Sequence, residues 1–432
     1  MTDPPPTRAL EEVDNCVVLP PDLHGYHDCR AIFNRMIDRT PSLVVRPLTV
    51  DALVSAARIL IDTSSAFSLR AGGHSIAGTC VMDDAVMMDL SLLRRVRVDR
   101  ERRLAFCEPG ALWADFDRAT SAHNLASTGG IVSHTGIAGL ILGGGLGWLM
   151  GEFGLACDNL VGLRAIDATG ALSYVPDQDL RYFRGAGRSL GVATEFVVRL
   201  GLIPEVLTRG RLEASLFAFP DVLEAAYRSL SQGPDWLTIS PSVVWADEAW
   251  ITVVDFVSSR DERETVEVIV ELFGSRPDRL WREPYVIVQS FLDSYLRFGR
   301  RNYWKSVAFE RVPASLAEFL VDHISRAPSK QSFISVDVVH GRGLREPDGG
   351  SVYSLRGYPL VLLVNTIWQS PSEDDANINW TMEAFEQFQA LGPVMAATYS
   401  NYMSADDIGQ QPGSSGLVAA SIRNRWQPAA LL

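Results

Sequence analysis

The chain has 432 residues, 47% of them apolar and 21% charged. That is the balance of a folded chain too long for one ordinary core, so two domains are expected. The 39 basic and 52 acidic residues leave a net charge of −13, which repels phosphate backbones and argues against a nucleic-acid partner.

The first fifteen residues, MTDPPPTRALEEVDN, have no basic stretch followed by an apolar run, so no secretory leader is read there and a cytoplasmic location is expected. His24, His27 and Cys29 lie close in sequence, but no second ligand pair follows at matching spacing, and no metal site is assigned. The five cysteines are irregularly spaced and odd in number, which does not read as a disulfide framework.

Thr49 is a good N-cap for a helix over PLTVDALVSAARILID, with Val50, Leu53, Val54, Ala57 and Ile61 on one face. AFSLR then reads as a short strand that delivers the loop AGGHS. AVMMDL and RLAFCEPG read as strands, and ALWADFDRATSAHN as a helix. Thr135 to Gly151 is uncharged, but 7 of its 17 residues are glycine, so no membrane span is read there. LVGLRAIDATGALSYV reads as a hairpin with Thr169-Gly170 at its tip, and ATEFVVRLGLIP as a strand.

Beyond Gly210 glycine becomes sparse. RLEASLFAF, WLTISPSVVW, AWITVVDFV, SFISVDVVH and LVLLVNTIW read as strands. PDVLEAAYRSLSQ, DERETVEVIVELFG, SLAEFLVDHISRA and SEDDANINWTMEAFEQFQAL read as helices. The expectation is an α+β domain, with an antiparallel sheet covered by helices on one face.

Three glycine-rich segments, 72–73, 129–151 and 185–191, lie in the first half. Glycine lets backbone N–H groups approach a ligand, and several such loops together point to a large phosphate-bearing cofactor. A nicotinamide Rossmann fingerprint does not fit: GAGRSLG has its third glycine one residue late, and a strand follows it.

In order, RAGGHS, EPGALWADF, TGGIVSHTGIAGLILGGGLGWL, FGLACDNL, RGAGRSLGVATEF and YSNYMSADD resemble the motifs of the berberine-bridge-enzyme-like FAD-linked oxidases, within the vanillyl-alcohol-oxidase type of flavoprotein. The resemblance spans essentially the whole chain. It implies a two-domain α+β protein: a PCMH-type FAD-binding domain over 1–205, completed by 400–432, and a substrate-binding domain over 206–399.

By that resemblance His74 bonds covalently to the 8α carbon of FAD, and Cys157 stands where bicovalent relatives carry a second link, to flavin C6. The resemblance places cofactor contacts at Arg70, Gly72, Gly73, Ser75, Thr135, Gly136, Gly139, Gly144, Gly145, Asp158, Asn159, Leu160, Gly187, Gly191, Val192 and Asn401. Tyr402 is the first candidate for the catalytic base, Tyr399 the second, and Asp337 the assisting carboxylate. An ordinary phenol, with a pKa of about 10, needs such help near neutrality.

The implied activity is oxidation of a hydroxyl or amine carbon in a bulky natural product or sugar, by hydride transfer to FAD. A second reading is a cyclase or isomerase that keeps FAD as scaffold, without net redox turnover. The electron acceptor is oxygen or another carrier, and the chain is read as monomer or homodimer. Three departures from the family pattern stand out. Phe153 replaces a Tyr or His and has no proton to exchange. Leu160 fills a position thought to gate oxygen, where bulk hinders it. Gln427 and Ala430 replace the usual Asp and Asn of the closing segment. RNYWKS reads as a strand start at the domain interface. Trp245, Gln289, Trp304, Val338, His340 and Trp368 are candidates for the substrate wall, with their facing left open.

Overall fold

A computed structural model describes residues 6–391, 399–408 and 418–432. Residues 1–5, 392–398 of the expected substrate domain and 409–417 of the closing segment lie outside the described residues.

The first half builds two sheets. One has four strands in the order Cys16–Leu19, Leu43–Pro47, Val86–Asp89, Phe67–Arg70. Two of its three pairs are parallel, which the helix Val50–Asp62 makes possible by crossing back between strands. Thr49 caps that helix, its hydroxyl accepting from Ala52 N at 3.1 Å. The buried face is Ala52, Leu53, Ala56, Ala57 and Leu60, rotated from the expected one, with Val50 and Ile61 at its margin.

The second sheet has five antiparallel strands: Val96–Asp99, Leu104–Cys107, Val192–Arg199, Leu160–Ile166 and Leu172–Tyr174. The last two form the expected hairpin, with Gly170 at φ +82° at its tip. The uncharged stretch from Thr135 divides into short helices, Ile137–Leu142 and Met150–Phe153, with Gly144 and Gly145 at positive φ between them. Among the described residues no helix is long and apolar enough to cross a membrane.

The second half forms a seven-stranded antiparallel sheet ordered Arg279–Glu283, Leu207–Ser215, Ala249–Ser258, Leu237–Ala246, Phe333–Val338, Leu360–Trp368, Arg301–Phe309. Helices Phe219–Gln232, Glu262–Phe273, Ala314–Ser325 and Asp374–Ala390 cover one face. Strand alternation sorts the residues. Val336, Val338, Leu360, Leu362, Val364, Val307 and Phe309 pack under the helices. Asp337, Val361, Leu363, Ala308 and Trp304 point the other way, toward the first half. One expected strand ended early: after Ser215 the chain turns, and Phe219 already opens the next helix.

The closing segment returns to the first half. Trp426 is fully buried in the core of the five-stranded sheet, and its Nε1 donates to Asp179 Oδ2 at 3.0 Å. Phe67 N donates to Ala430 O at 2.8 Å, and Leu432 N to Phe67 O at 2.9 Å.

Candidate active site

The strand Phe67–Arg70 ends at the loop that carries His74, and Gly73 takes φ +69° to make the turn. Gly72 meets Gly136 backbone to backbone: a Cβ on Gly72 would sit 2.4 Å from Gly136 N. His74 Nε2 lies 2.7 Å from His134 Nδ1, while Phe33 stacks on the His74 ring at 4.1 Å between centres. Burial holds the His74 imidazole well below its ordinary pKa, and His134 adds to this, so the ring is neutral near pH 7. A neutral imidazole is the form that can act as a nucleophile. Nδ1 of His74 makes no hydrogen bond with any described residue.

Tyr402, half-buried, donates its hydroxyl to Asp337 Oδ2 at 2.9 Å. Burial raises the Asp337 carboxyl to about 6, with the Tyr402 hydrogen bond pulling the other way. Burial and the Asp337 charge push the Tyr402 phenol well above its usual value. A free phenolate therefore does not stand here at neutral pH. The pair loses a proton most readily as a unit, with the carboxylate as its resting place.

Tyr399 is almost fully buried and its hydroxyl is already engaged. It accepts from Gly145 N at 2.7 Å and from Asn401 Nδ2 at 2.5 Å. Burial raises its pKa strongly, against the lowering effect of the Gly145 N–H. Its ring meets Tyr402 edge-on at 4.8 Å. Trp304 meets Tyr402 edge-on at 5.9 Å and Phe33 at 6.2 Å. An aromatic chain thus runs from His74 through Phe33 and Trp304 to Tyr402.

Cys157 is fully buried in a cluster with Tyr399, Tyr353 and Leu146, against which Tyr402 packs. Its turn, Ala156–Asn159, is held by side chains: Asp158 Oδ2 accepts from Leu155 N at 2.8 Å, and Arg356 pairs with Asp158. Asn159 Nδ2 donates to Phe153 O and Leu155 O, both at 3.0 Å. Asp158 and Asn159 therefore spend their side chains on building the turn. Burial pushes the Cys157 thiol well above its ordinary pKa, and the neighbouring Asp158 charge adds to this, against Arg356 and Arg184. The group at this position is a thiol rather than a resting thiolate.

Several expected cofactor contacts are committed elsewhere through their side chains. Arg70 donates to Asp89 Oδ1 at 2.8 Å, and Ser75 Oγ accepts from Thr79 N at 3.1 Å. Leu160 and Val192 are fully buried in hydrophobic cores, so Leu160 packs within the sheet. Thr135 O accepts from Trp113 N. Gly187 is backed by Leu142 and Phe183, and Gly191 by the Ile166 carbonyl. Arg188 bridges this loop to the C-terminal turn, donating to Gly139 O at 3.1 Å and Ser400 O at 3.0 Å, and it also contacts Asn401. Phe153 packs on Gly201, away from the tyrosines, in a cluster with Trp148 and Leu207.

Of the substrate-wall candidates, only Trp304 reaches Tyr402. Gln289 is fully buried, bonded to Gly130 O at 2.6 Å and to Tyr285 Oη at 2.9 Å. Val338 faces the helices, and Trp368 donates to Asp374. His340 pairs with Thr238, and Trp245 packs against Trp250 and Lys330. Sequence reasoning missed His134, Tyr353, Arg356 and Arg184. His134 stood inside a quoted motif, whereas Tyr353 and Arg356 come from a loop without any pattern.

The arrangement fits FAD. The space where a Gly139 Cβ would sit is open. The Tyr353 hydroxyl is buried and has no partner. The neutral His74 ring keeps a free nitrogen.

Residues 41–174 match the family described as an FAD binding domain. The chain is 27% identical over 384 residues to an FAD-linked oxidoreductase of Dictyostelium discoideum, covering 85% of this chain and 82% of that one. It is 30% identical over 197 residues to (R)-6-hydroxynicotine oxidase of Paenarthrobacter nicotinovorans, covering 45% and 43%. Its fold matches berberine bridge enzyme in complex with (S)-reticuline with a TM-score of 0.82 at 22% identity, over 92% of this chain and 87% of that one. The glycine loops, the His74 turn and this whole-chain likeness lead to one conclusion: the chain is an FAD-dependent oxidoreductase with an FAD binding domain over 41–174 and the fold of berberine bridge enzyme.

Proposed function

We propose that this oxidoreductase carries FAD bonded through His74 and Cys157, and that it oxidises a hydroxyl- or amine-bearing carbon of a bulky natural product or sugar. The observation that carries the reading is the Tyr402–Asp337 hydrogen bond, with Tyr402 packed against the Cys157 cluster and joined by ring contacts through Trp304 and Phe33 to His74. FAD bound there supplies a two-electron acceptor for hydride. The protein's own part is to hold substrate, exclude water and move one proton.

Tyr402 Oη receives the substrate's hydroxyl or amine proton as its own proton passes to Asp337 Oδ2. The carboxylate then stores it at the site until product leaves. Tyr399 acts as a positioning group, because its oxygen is held by Gly145 N and Asn401 and its ring braces Tyr402. Arg356 and Arg184 tie the loop before the strand Leu360–Trp368 to the Cys157 turn, and this keeps the two halves in register. Relatives support the chemistry: one is an oxidase of 6-hydroxynicotine, and another has been solved in complex with reticuline.

The test uses the purified protein. Acid precipitation and intact mass are expected to give a yellow pellet and the added mass of one FAD. Anaerobic addition of alcohols and amines is then expected to bleach the flavin for at least one class. Colourless protein from a flavin-rich host overturns the reading. Flavin that binds a substrate, turns it over and never bleaches moves the assignment to a cyclase or isomerase.

A further inference from the structure

His134 has no part in the proton path through Tyr402, yet it makes the only described hydrogen bond to His74. The 2.7 Å contact joins His74 Nε2 to His134 Nδ1. The ring centres are 4.8 Å apart and the planes 25° from parallel, so the imidazoles lie side by side, edge to edge. Phe33 covers one face of His74, and Phe298 meets both rings edge-on.

One proton lies between the rings, and its owner decides what His74 can do. If His74 Nε2 donates, His74 Nδ1 keeps its lone pair. If His134 Nδ1 donates, His74 carries its proton on Nδ1 and has no nucleophilic nitrogen to offer. The first tautomer places the His134 proton on Nε2, which is buried without a partner. Burial lowers the His134 pKa, and the charge of Asp293, itself held by Ser133 N at 2.8 Å and Ser133 Oγ at 2.6 Å, works against this by favouring a proton on the ring.

We infer that His134 is a positioning residue for covalent attachment of FAD: it fixes His74 in the nucleophilic tautomer and accepts the His74 Nε2 proton as the bond forms. The inference rests on attachment through His74. The bond made is His74 Nδ1 to the 8α carbon. One hydrogen leaves the 8-methyl group, and one leaves His74 through His134. The two electrons left on FAD pass to dissolved oxygen, so the net products are the linked, oxidised FAD and hydrogen peroxide.

The test is run in a Cys157→Ala background, where any acid-stable FAD reports the His74 bond alone. Full-length chains are produced with ample flavin and scored by intact mass and by flavin fluorescence in denaturing gels. His134→Ala is expected to bind FAD that acid releases, with covalent incorporation slowed about 100-fold, in the range for loss of a proton acceptor. Imidazole added to that variant is expected to restore incorporation, which a purely structural defect would not allow. His134→Asn keeps an acceptor for the His74 proton but cannot take it up, and falls between the two.

Full incorporation in both His134 variants at the parental rate overturns the inference. If His134→Ala does not fold, His134→Asn decides: slow incorporation supports the role and parental incorporation refutes it. A parent chain without acid-stable FAD, or His74→Ala that retains it, refutes the attachment itself and is recognised without any His134 variant.

Discussion

Tyr402 and Asp337 stand 65 positions apart in the chain and meet across 2.9 Å, the phenol donating to the carboxylate. Neither is a base of the needed strength alone. In the proposed reaction they act together as a proton path whose far end is a buried acid of pKa about 6. Tyr402→Phe is expected to lower the rate of substrate-driven bleaching by 10²- to 10⁴-fold. Covalent flavin and photoreduction are expected to be untouched. Stopped-flow absorbance of both reactions checks this, and equal bleaching in the variant removes Tyr402 from the path.

The acid limb of activity follows from the same pair. Below about pH 6 Asp337 is protonated and cannot accept the phenolic proton, so the reductive rate falls as pH drops through that value. Asp337→Asn is expected to abolish this limb along with most activity. A pH–rate profile of the reductive half-reaction is the measurement.

Stability responds in the opposite sense. The folded-state pKa of Asp337 is raised above that of the unfolded chain, so the fold prefers the protonated acid. The penalty is absent well below pH 4, grows as pH rises toward 6, and is constant above. Two pKa units correspond to about 3 kcal/mol. Asp337→Asn is therefore expected to raise denaturation resistance at pH 8 by up to this amount, and by roughly half as much at pH 5. Urea unfolding at the two values checks the sign.

Gly72→Ala tests the loop crossing. A methyl group there would lie 2.4 Å from Gly136 N, backbone against backbone with no side chain to swing aside. Overpacking of this kind costs about 1–3 kcal/mol or more. The variant is expected to unfold at lower temperature and to lose acid-stable flavin, because His74 rides on the same loop. Scanning calorimetry and mass spectrometry read the two effects separately.

Much of the secondary structure was legible where its signals are local. Thr49 before an apolar-periodic run, Thr169-Gly170 between alternating strands and Gly274 after a helix each specify their own turn. The Cys16–Leu19, Leu43–Pro47 and Arg279–Glu283 strands escaped, being short and carrying charge or cysteine rather than a clean alternation.

For the site, the motifs brought out His74, Cys157, Tyr402 and Asp337. They did not say that Arg70 is tied to Asp89, that Asp158 and Asn159 are used up in a turn, or that His134 touches His74. Those facts depend on partners 3 to 60 residues away. Side-chain commitment is a property of the packed molecule, and a motif records only which residue types are present.

The return of the C-terminal segment sets an order of events in biosynthesis. Phe67 bonds to Ala430 and Leu432, Gly145 to Tyr399, and Asp179 to Trp426. A ribosome that has made only the first 205 residues has therefore not yet supplied the edge of the first sheet, the buried indole of the second or the acceptor of the Gly145 N–H. Contacts of such long sequence separation form late and slowly. The first domain can therefore close only once the segment through Leu432 has been made, and until then its half-built sheets leave apolar surface uncovered.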